Sequence, residues 1–228
     1  MKLLAIETAT EACSAAIWID GAVQSRFEIA PRRHAELILP MCDSLMTEAG
    51  IAPAQLDVIA FGRGPGAFTG VRIAVGVAQG IAFASGLPVL SVSTLAALAQ
   101  EVMSGTDYAR VLAANDARMG EIYWGYYERD NEGCARRVGE ERVGQPGCIE
   151  QPSAPGWFGA GSGWSAYRDI LIARLGSRLY GFDSERLPRA EYVAQLAAAG
   201  YRAGLAVPPE QAQPIYLRDE VAKKNYRL

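Results

Sequence analysis

The stretch FGRGPGAFTGVRIAVGVAQGIAFASG, residues 61–86, joins a glycine-rich turn to a helix that lacks the usual polar side. Just before it, Leu56-Asp57-Val58-Ile59-Ala60-Phe61 is a short apolar run bounded by turn residues. A buried strand is therefore predicted to feed the loop Gly62-Arg63-Gly64-Pro65-Gly66. Thr69 has a side chain suited to capping a helix, and Val71 to Ser85 contains no proline. Val71, Val75, Ala78, Ile81, Ala82 and Ser85 recur at helical spacing.

The other sides of this helix carry little bulk. Gly76 and Gly80 stand one turn apart with Ala84 continuing the row, and Ala74, Ala78 and Ala82 form a second row. Each interior glycine costs about 1 kcal/mol of helix stability relative to alanine, so a backbone-close partner is expected. Two partners stay open at this point: the helix's own sheet, or a helix of another chain, since rows of small residues let backbones approach closely. A membrane span is not expected, because Arg72, Gln79 and the break at Gly86-Leu87-Pro88 interrupt a run that would need about 20 apolar residues.

With 228 residues, 50% hydrophobic and 21% charged, the chain can bury a substantial core as one large domain or two small ones. Its formal net charge of -3 argues against a surface that holds a polyanion unaided, so any contact with nucleic acid is expected to be indirect or confined to local clusters. The opening MKLLAIETAT offers too little apolar length for a secretory leader, which predicts a cytoplasmic protein. Cys13, Cys42, Cys134 and Cys148 form no CxxC pair and are read as reduced, structural thiols.

Outward from the glycine turn, Leu3 to Ile6, Ser14 to Asp20 and Val23 to Ile29 read as three antiparallel strands, the last two joined at Asp20-Gly21. Ala35 to Ala49 is a predicted helix stopped by Gly50 that either begins near Pro40 or kinks there. Its apolar arc is wider than one face, which predicts burial against two surfaces. Pro88 to Ser93 reads as a strand, with Ser93 or Thr94 capping a helix through Met103. A change of pattern at residues 104–107 predicts a junction. Beyond it, Val111 to Ala114 and Glu121 to Tyr127 start a second meander around a turn at Asp116 to Gly120, with a further strand near Arg137 to Val143. Trp157 to Gly163 again runs apolar residues into glycines, followed by helices over Ser165 to Leu175 and Pro188 to Ala203. The latter is expected to turn Tyr192, Val193, Leu196, Ala199 and Ala203 to one side. Lys223, Lys224 and Arg227 end the chain as a solvated tail or a basic arm. The predicted class is α/β, with mixed sheets and flanking helices.

Few residues offer chemistry. The turn at Gly62 to Gly70 lacks the lysine of a phosphate-binding Walker loop and the G-x-G-x-x-G spacing of a dinucleotide site. Its amides at a helix start could still hold an anion, aided by Arg63 or Arg72. His34 is the single histidine and Ile38 stands four residues on, so a two-histidine zinc site cannot be built; His34 is also the one candidate base for a serine triad, and no G-x-S-x-G elbow accompanies it. His34 is read as a hydrogen-bonding helix-end residue. The loop Glu7 to Glu11 carries hydroxyls and carboxylates at a strand end, where either a tight polar turn or a phosphate contact fits.

The segments LLAIETAT, ACSAAIW, RRHAELILP, FGRGPGAFTGVRIAVGVAQG, NDARMGEIYW and PIYLRD together resemble the bacterial TsaB (YeaZ) family of tRNA threonylcarbamoyladenosine synthesis. GPGAFTGVRIA is the most specific piece. The resemblance implies two ribonuclease H-like subdomains of the actin/sugar kinase/Hsp70 (ASKHA) type, expected at 1–104 and 105–187, with 188–228 packing back on the first. It also implies a noncatalytic scaffold, with no catalytic residue and no metal ligand of its own. The related TsaD-type subunit carries a metal on an H-x-x-x-H pair and modifies adenosine 37 of tRNAs that read ANN codons.

The partners implied are that TsaD-type subunit and a TsaE-type ATPase, with a homodimer when free and tRNA only indirectly. No cofactor is intrinsic, while ATP or ADP binds in the assembled complex. Family members pair through the first two helices, which predicts a partner surface on Ile38, Met41, Leu45, Val75, Gly76 and Gly80. Candidate nucleotide or anion contacts are Thr8, Gly64, Gly66 and Gly161. Glu7 stands where active kinases of this fold carry an aspartate, and the following glycine is absent, which counts against independent ATP hydrolysis. A small-molecule kinase or ATPase of the same fold is the alternative.

Overall fold

The computed structural model describes residues 1–218, so Lys223, Lys224 and Arg227 lie outside the described residues. Strands β1 (Lys2–Glu7), β2 (Ala12–Ile19) and β3 (Ala22–Ile29) form an antiparallel meander. At the β2–β3 turn Asp20 (φ 47°) and Gly21 (φ 101°) are both left-handed, the backbone a two-residue hairpin requires. Strands β4 (Val58–Gly62) and β5 (Val89–Val92) extend the sheet in parallel, giving the order β3-β2-β1-β4-β5. The predicted strand from Leu56 thus starts two residues later and runs into the glycine turn.

One face of this sheet is covered by α1 (His34–Ala49) and α2 (Phe68–Ser85). Leu4, Ile6, Ile59 and Phe61 meet Ile38, Leu45, Val71 and Val75 there. Helix α1 begins at His34 and runs through Pro40, whose side chain is exposed. Helix α2 starts at Phe68 after Ala67, with no side-chain cap. Thr69 therefore lies in its first turn and is not the predicted cap.

A second sheet repeats the plan. Strands β6 (Arg110–Arg118), β7 (Glu121–Arg129) and β8 (Ala135–Gly144) form the meander, and β9 (Trp157–Ala160) and β10 (Leu179–Asp183) run parallel to β6, in the order β10-β9-β6-β7-β8. The predicted turn at Asp116 to Gly120 is shorter than expected. Strand β6 carries on to Arg118 through a register shift, leaving Met119 and Gly120 as the tip. Helix α4 (Ser162–Leu175) joins β9 to β10, starting three residues earlier than its sequence pattern.

The remaining helices are exchanged between the two units. Helix α3 (Thr94–Gly105) follows the first sheet, and Ser93 Oγ accepts from the Leu95 and Ala96 amides at 3.2 and 3.3 Å as its cap. Yet Leu95, Leu98, Ala99 and Val102 of α3 pack with Val111, Ala113 and Tyr127 of the second sheet. Helix α5 (Ala190–Arg202) follows the second sheet and covers the free face of the first, where Val193, Ala194, Ala197 and Ala198 meet Leu3, Ala5, Val58 and Leu90. Its buried side is thus a row of small residues, whereas Ala199 is only partly covered and Ala203 is exposed.

Candidate functional site

On α2, Val71, Ala74, Val75, Ala78 and Ala82 turn into the core, whereas Arg72, Gly76, Gly80, Phe83 and Ala84 face outward. Among the described residues, a Cβ built on Gly76 or Gly80 would meet nothing within 4 Å. The glycine row therefore does not serve the helix's own sheet. This settles one of the two alternatives left by the sequence, and leaves an uncovered, side-chain-free strip flanked by Phe83, which is 58% exposed. By length and mean hydropathy (1.3) α2 could cross a bilayer. It is instead tied to the protein: Gln79 donates to the carbonyls of Pro209 and Ala212 at 3.0 and 3.1 Å.

Three of the residues expected on a partner surface are not at the surface at all. Ile38, Leu45 and Val75 are buried in the core between α1, α2 and the first sheet. The most apolar positions of an amphipathic helix are drawn to its own sheet, which leaves the less conspicuous ones outside. Met41 is half-buried, and Gly76 and Gly80 are exposed. Leu39, part of the wide apolar arc of α1, is exposed beside Pro40 and Asp43.

At the carboxyl ends of β1 and β4, the loop after β1 presses into the glycine turn. A Cβ on Gly66 would lie 2.3 Å from the Ala9 carbonyl oxygen and one on Gly70 2.0 Å from that of Thr8. Thr8 Oγ1 donates to the Gly70 carbonyl at 2.7 Å, and the Ala67 amide donates to the Ala9 carbonyl at 2.7 Å. Gly64 (φ 91°) instead faces Val71 and the Ile215 carbonyl. Glu7 is fully buried; its Oε1 accepts from the Ala9 amide at 2.7 Å and its Oε2 from Thr94 Oγ1 at 3.0 Å. Burial outweighs these bonds and raises its pKa to about 7.

The arginines expected to help an anion at this turn are engaged elsewhere. Arg63 lies 3.7 Å from Glu141 Oε2, and the Arg72 guanidinium sits 3.2 Å from the centre of the Phe68 ring. His34 is a buried helix-end residue whose Nε2 lies 3.2 Å from the Ala12 carbonyl oxygen, as its sequence position suggests.

Between this turn and the second sheet lies a cleft of about 910 Å³. Pro65 to Phe68 line one wall and Asn115, Arg118 and Ser162 the other. Gly161 (φ 104°) stands behind the second wall, where a Cβ would come within 2.6 Å of Asn115 Oδ1 and of the Ala114 carbonyl oxygen. Asn115 is 3% exposed, and neither side-chain oxygen nor nitrogen has a hydrogen-bond partner among the described residues. Asn115 opens the segment NDARMGEIYW that carries part of the family resemblance, but its missing partner is visible only once β6 and α4 are in place.

A family model described as TsaD, tRNA N6-adenosine threonylcarbamoyltransferase, matches residues 27–226. The chain is 43% identical to the tRNA threonylcarbamoyladenosine biosynthesis protein TsaB of Escherichia coli K12, over 99% of this chain and 98% of that protein. The Haemophilus influenzae TsaB is 38% identical over 99% and 97%. The chain belongs to the TsaB family. The structure of YeaZ from Pseudomonas aeruginosa superposes with a TM-score of 0.88 at 48% identity, covering 95% of this chain and 99% of that one. Two mixed sheets with flanking helices are the α/β, ASKHA-like architecture expected of a TsaB-family chain.

Proposed function

We propose that this TsaB-family chain is a noncatalytic scaffold of cytoplasmic tRNA threonylcarbamoyladenosine synthesis, which binds and supports a TsaD-type transferase modifying adenosine 37 of ANN-decoding tRNAs. The observation that carries this is the outward strip of Gly76 and Gly80 on α2, with open space where side chains would stand. An exposed helix without a partner gains stability by replacing such glycines, by about 1 kcal/mol each. A row left bare suits a second helix that packs backbone to backbone. In the free chain a second copy takes that place, and a TsaE-type ATPase joins the heterodimer. ATP or ADP belongs to that assembly, and tRNA is met through the partner, in keeping with a net charge of -3.

The kinase alternative is less well supported, because both oxygens of Glu7 are spent on Ala9 and Thr94 inside the protein. The scaffold role is tested with Gly76→Leu and Gly80→Leu. Both variants should fold at least as stably as the parent, fail to form a complex with the TsaD-type subunit by light scattering, and cut modification in a reconstituted reaction at least tenfold. A heterodimer that survives both substitutions would remove this surface from consideration.

A further inference from the structure

We infer that residues 213–218 are a strap that latches the two walls of the cleft together and opens on its own, without unfolding of either unit. This goes beyond the scaffold role and does not depend on it. One end of the strap is anchored. Ala212 is 5% exposed, and its carbonyl and that of Pro209 accept from Gln79 of α2 at 3.1 and 3.0 Å. From residue 213 to 218, by contrast, no residue is buried, and the segment belongs to no helix or strand.

The strap first crosses the glycine turn. The Ile215 amide donates to the Arg63 carbonyl at 2.9 Å, and a Cβ on Gly64 would lie 3.2 Å from the Ile215 carbonyl oxygen. The Tyr216 ring centre stands 5.7 Å from that of Phe68 and 5.2 Å from the Arg72 guanidinium, so the strap also rests on the first turn of α2. Two residues later it reaches the second unit. Arg218 Nη2 donates to the Ala117 carbonyl at 3.1 Å and to the Glu121 carboxylate, and Arg218 Nη1 lies 3.8 Å from Met119 Sδ. One guanidinium therefore holds both strands of the β6–β7 hairpin and its tip. Ile215 to Arg218 line the cleft between Pro65 to Phe68 on one side and Asn115 to Arg118 on the other, as a third wall.

These contacts set a resting position without locking it. The side chains of Arg218 and Glu121 are 20% and 33% exposed, so water competes for their bond. A segment with few buried apolar contacts and hydrogen bonds near solvent opens at a free energy well below that of global unfolding. Helices α3 and α5 are different, because both are packed into apolar clusters. They limit how far the units can part, whereas Arg218 decides where the hairpin rests within that range. Its release frees the tip at Met119 and lets the cleft widen.

The test is hydrogen–deuterium exchange on the full chain. The Ile215 amide should exchange at least about 100-fold faster than the bonded amides of β1 and β4, and low urea should leave its rate unchanged while speeding theirs. Arg218→Ala should speed Ile215 about fivefold or more by removing a charged hydrogen bond. Arg110→Ala breaks the Arg110–Glu128 pair, which stays intact when the strap opens, and should leave the Ile215 rate as it was. Spin labels on Glu11→Cys and Ala166→Cys, exposed residues on opposite walls, report the cleft directly in protein that also carries Cys134→Ser and Cys148→Ser. Arg218→Ala should lengthen or broaden their distance distribution. The inference is overturned if Ile215 exchanges no faster than β1 and β4, if Arg218→Ala speeds it no more than Arg110→Ala does, or if the label distances stay the same.

Discussion

The carboxylate of Glu7 occupies the place where a side chain on residue 62 would stand: a Cβ on Gly62 would lie 2.0 Å from Glu7 Oε2. Glu7 cannot withdraw, since both its oxygens are bonded within the core. Gly62→Ala should therefore destabilise the protein by about 1–3 kcal/mol, as overpacking does. Gly76→Ala, in open space on a helix, should stabilise it by about 1 kcal/mol. Urea unfolding of the two variants should move the midpoint in opposite directions.

Glu7 also gives stability a pH dependence. Its folded pKa is raised to about 7 from 4.5, so between those values the folded state holds a proton that the unfolded state has released. Its contribution is complete below about pH 4.5 and is lost as pH rises through about 7, by on the order of 3 kcal/mol. Glu101, raised to about 7 mainly by burial despite Arg186 and Arg189, acts in the same direction. Glu7→Gln should shrink the fall in unfolding free energy from pH 5 to 8 without abolishing it. An unchanged slope would show that Glu7 ionises freely in the folded protein.

Leu45 and Leu39 lie on one helix and face opposite ways. Leu45 is fully buried, so Leu45→Ala should cost about 2–5 kcal/mol. Leu39 is 52% exposed, and Leu39→Ser should change stability by about 0.5 kcal/mol or less. If α1 contributes to the partner face, Leu39→Ser should weaken the complex with the TsaD-type subunit, while the Leu45→Ala protein that remains folded should still bind.

The thiols should react in an order set by burial. Cys13 and Cys42 are buried, with pKa values pushed up to about 11 and about 12, while Cys134 is half-buried and Cys148 is exposed. Native protein treated with an aromatic disulfide reagent should release one equivalent quickly from Cys148 and a second more slowly from Cys134. Cys13 and Cys42 should react only on unfolding.

Strands were the most legible part of the chain. Short apolar runs ending at Asp20-Gly21 or Gly62 can do little else, and Ser93 announces α3 because its hydroxyl meets two orphan amides. Periodicity located α1 and α2 but not their outer sides. Ile38, Leu45 and Val75 are apolar enough for either surface, and only the position of the sheet decides between them. The row of Gly76 and Gly80 was visible from the start, whereas its exposure was not. Asn115 opens the quoted segment NDARMGEIYW, but its unpaired carboxamide was not legible, because a missing hydrogen-bond partner is a property of neighbours brought together from α4 and β6.

Because α3 and α5 each cross to the opposite sheet, cutting the chain near residue 105 would strip both halves of a cover and bare two apolar faces at once. The halves are clasped like interlocked fingers, so the molecule should melt as a single cooperative unit. A force or ligand that spreads its two sides would have to slide these helices over their foreign sheets, which makes the clasp, more than any loop, the limit on how far they can swing apart.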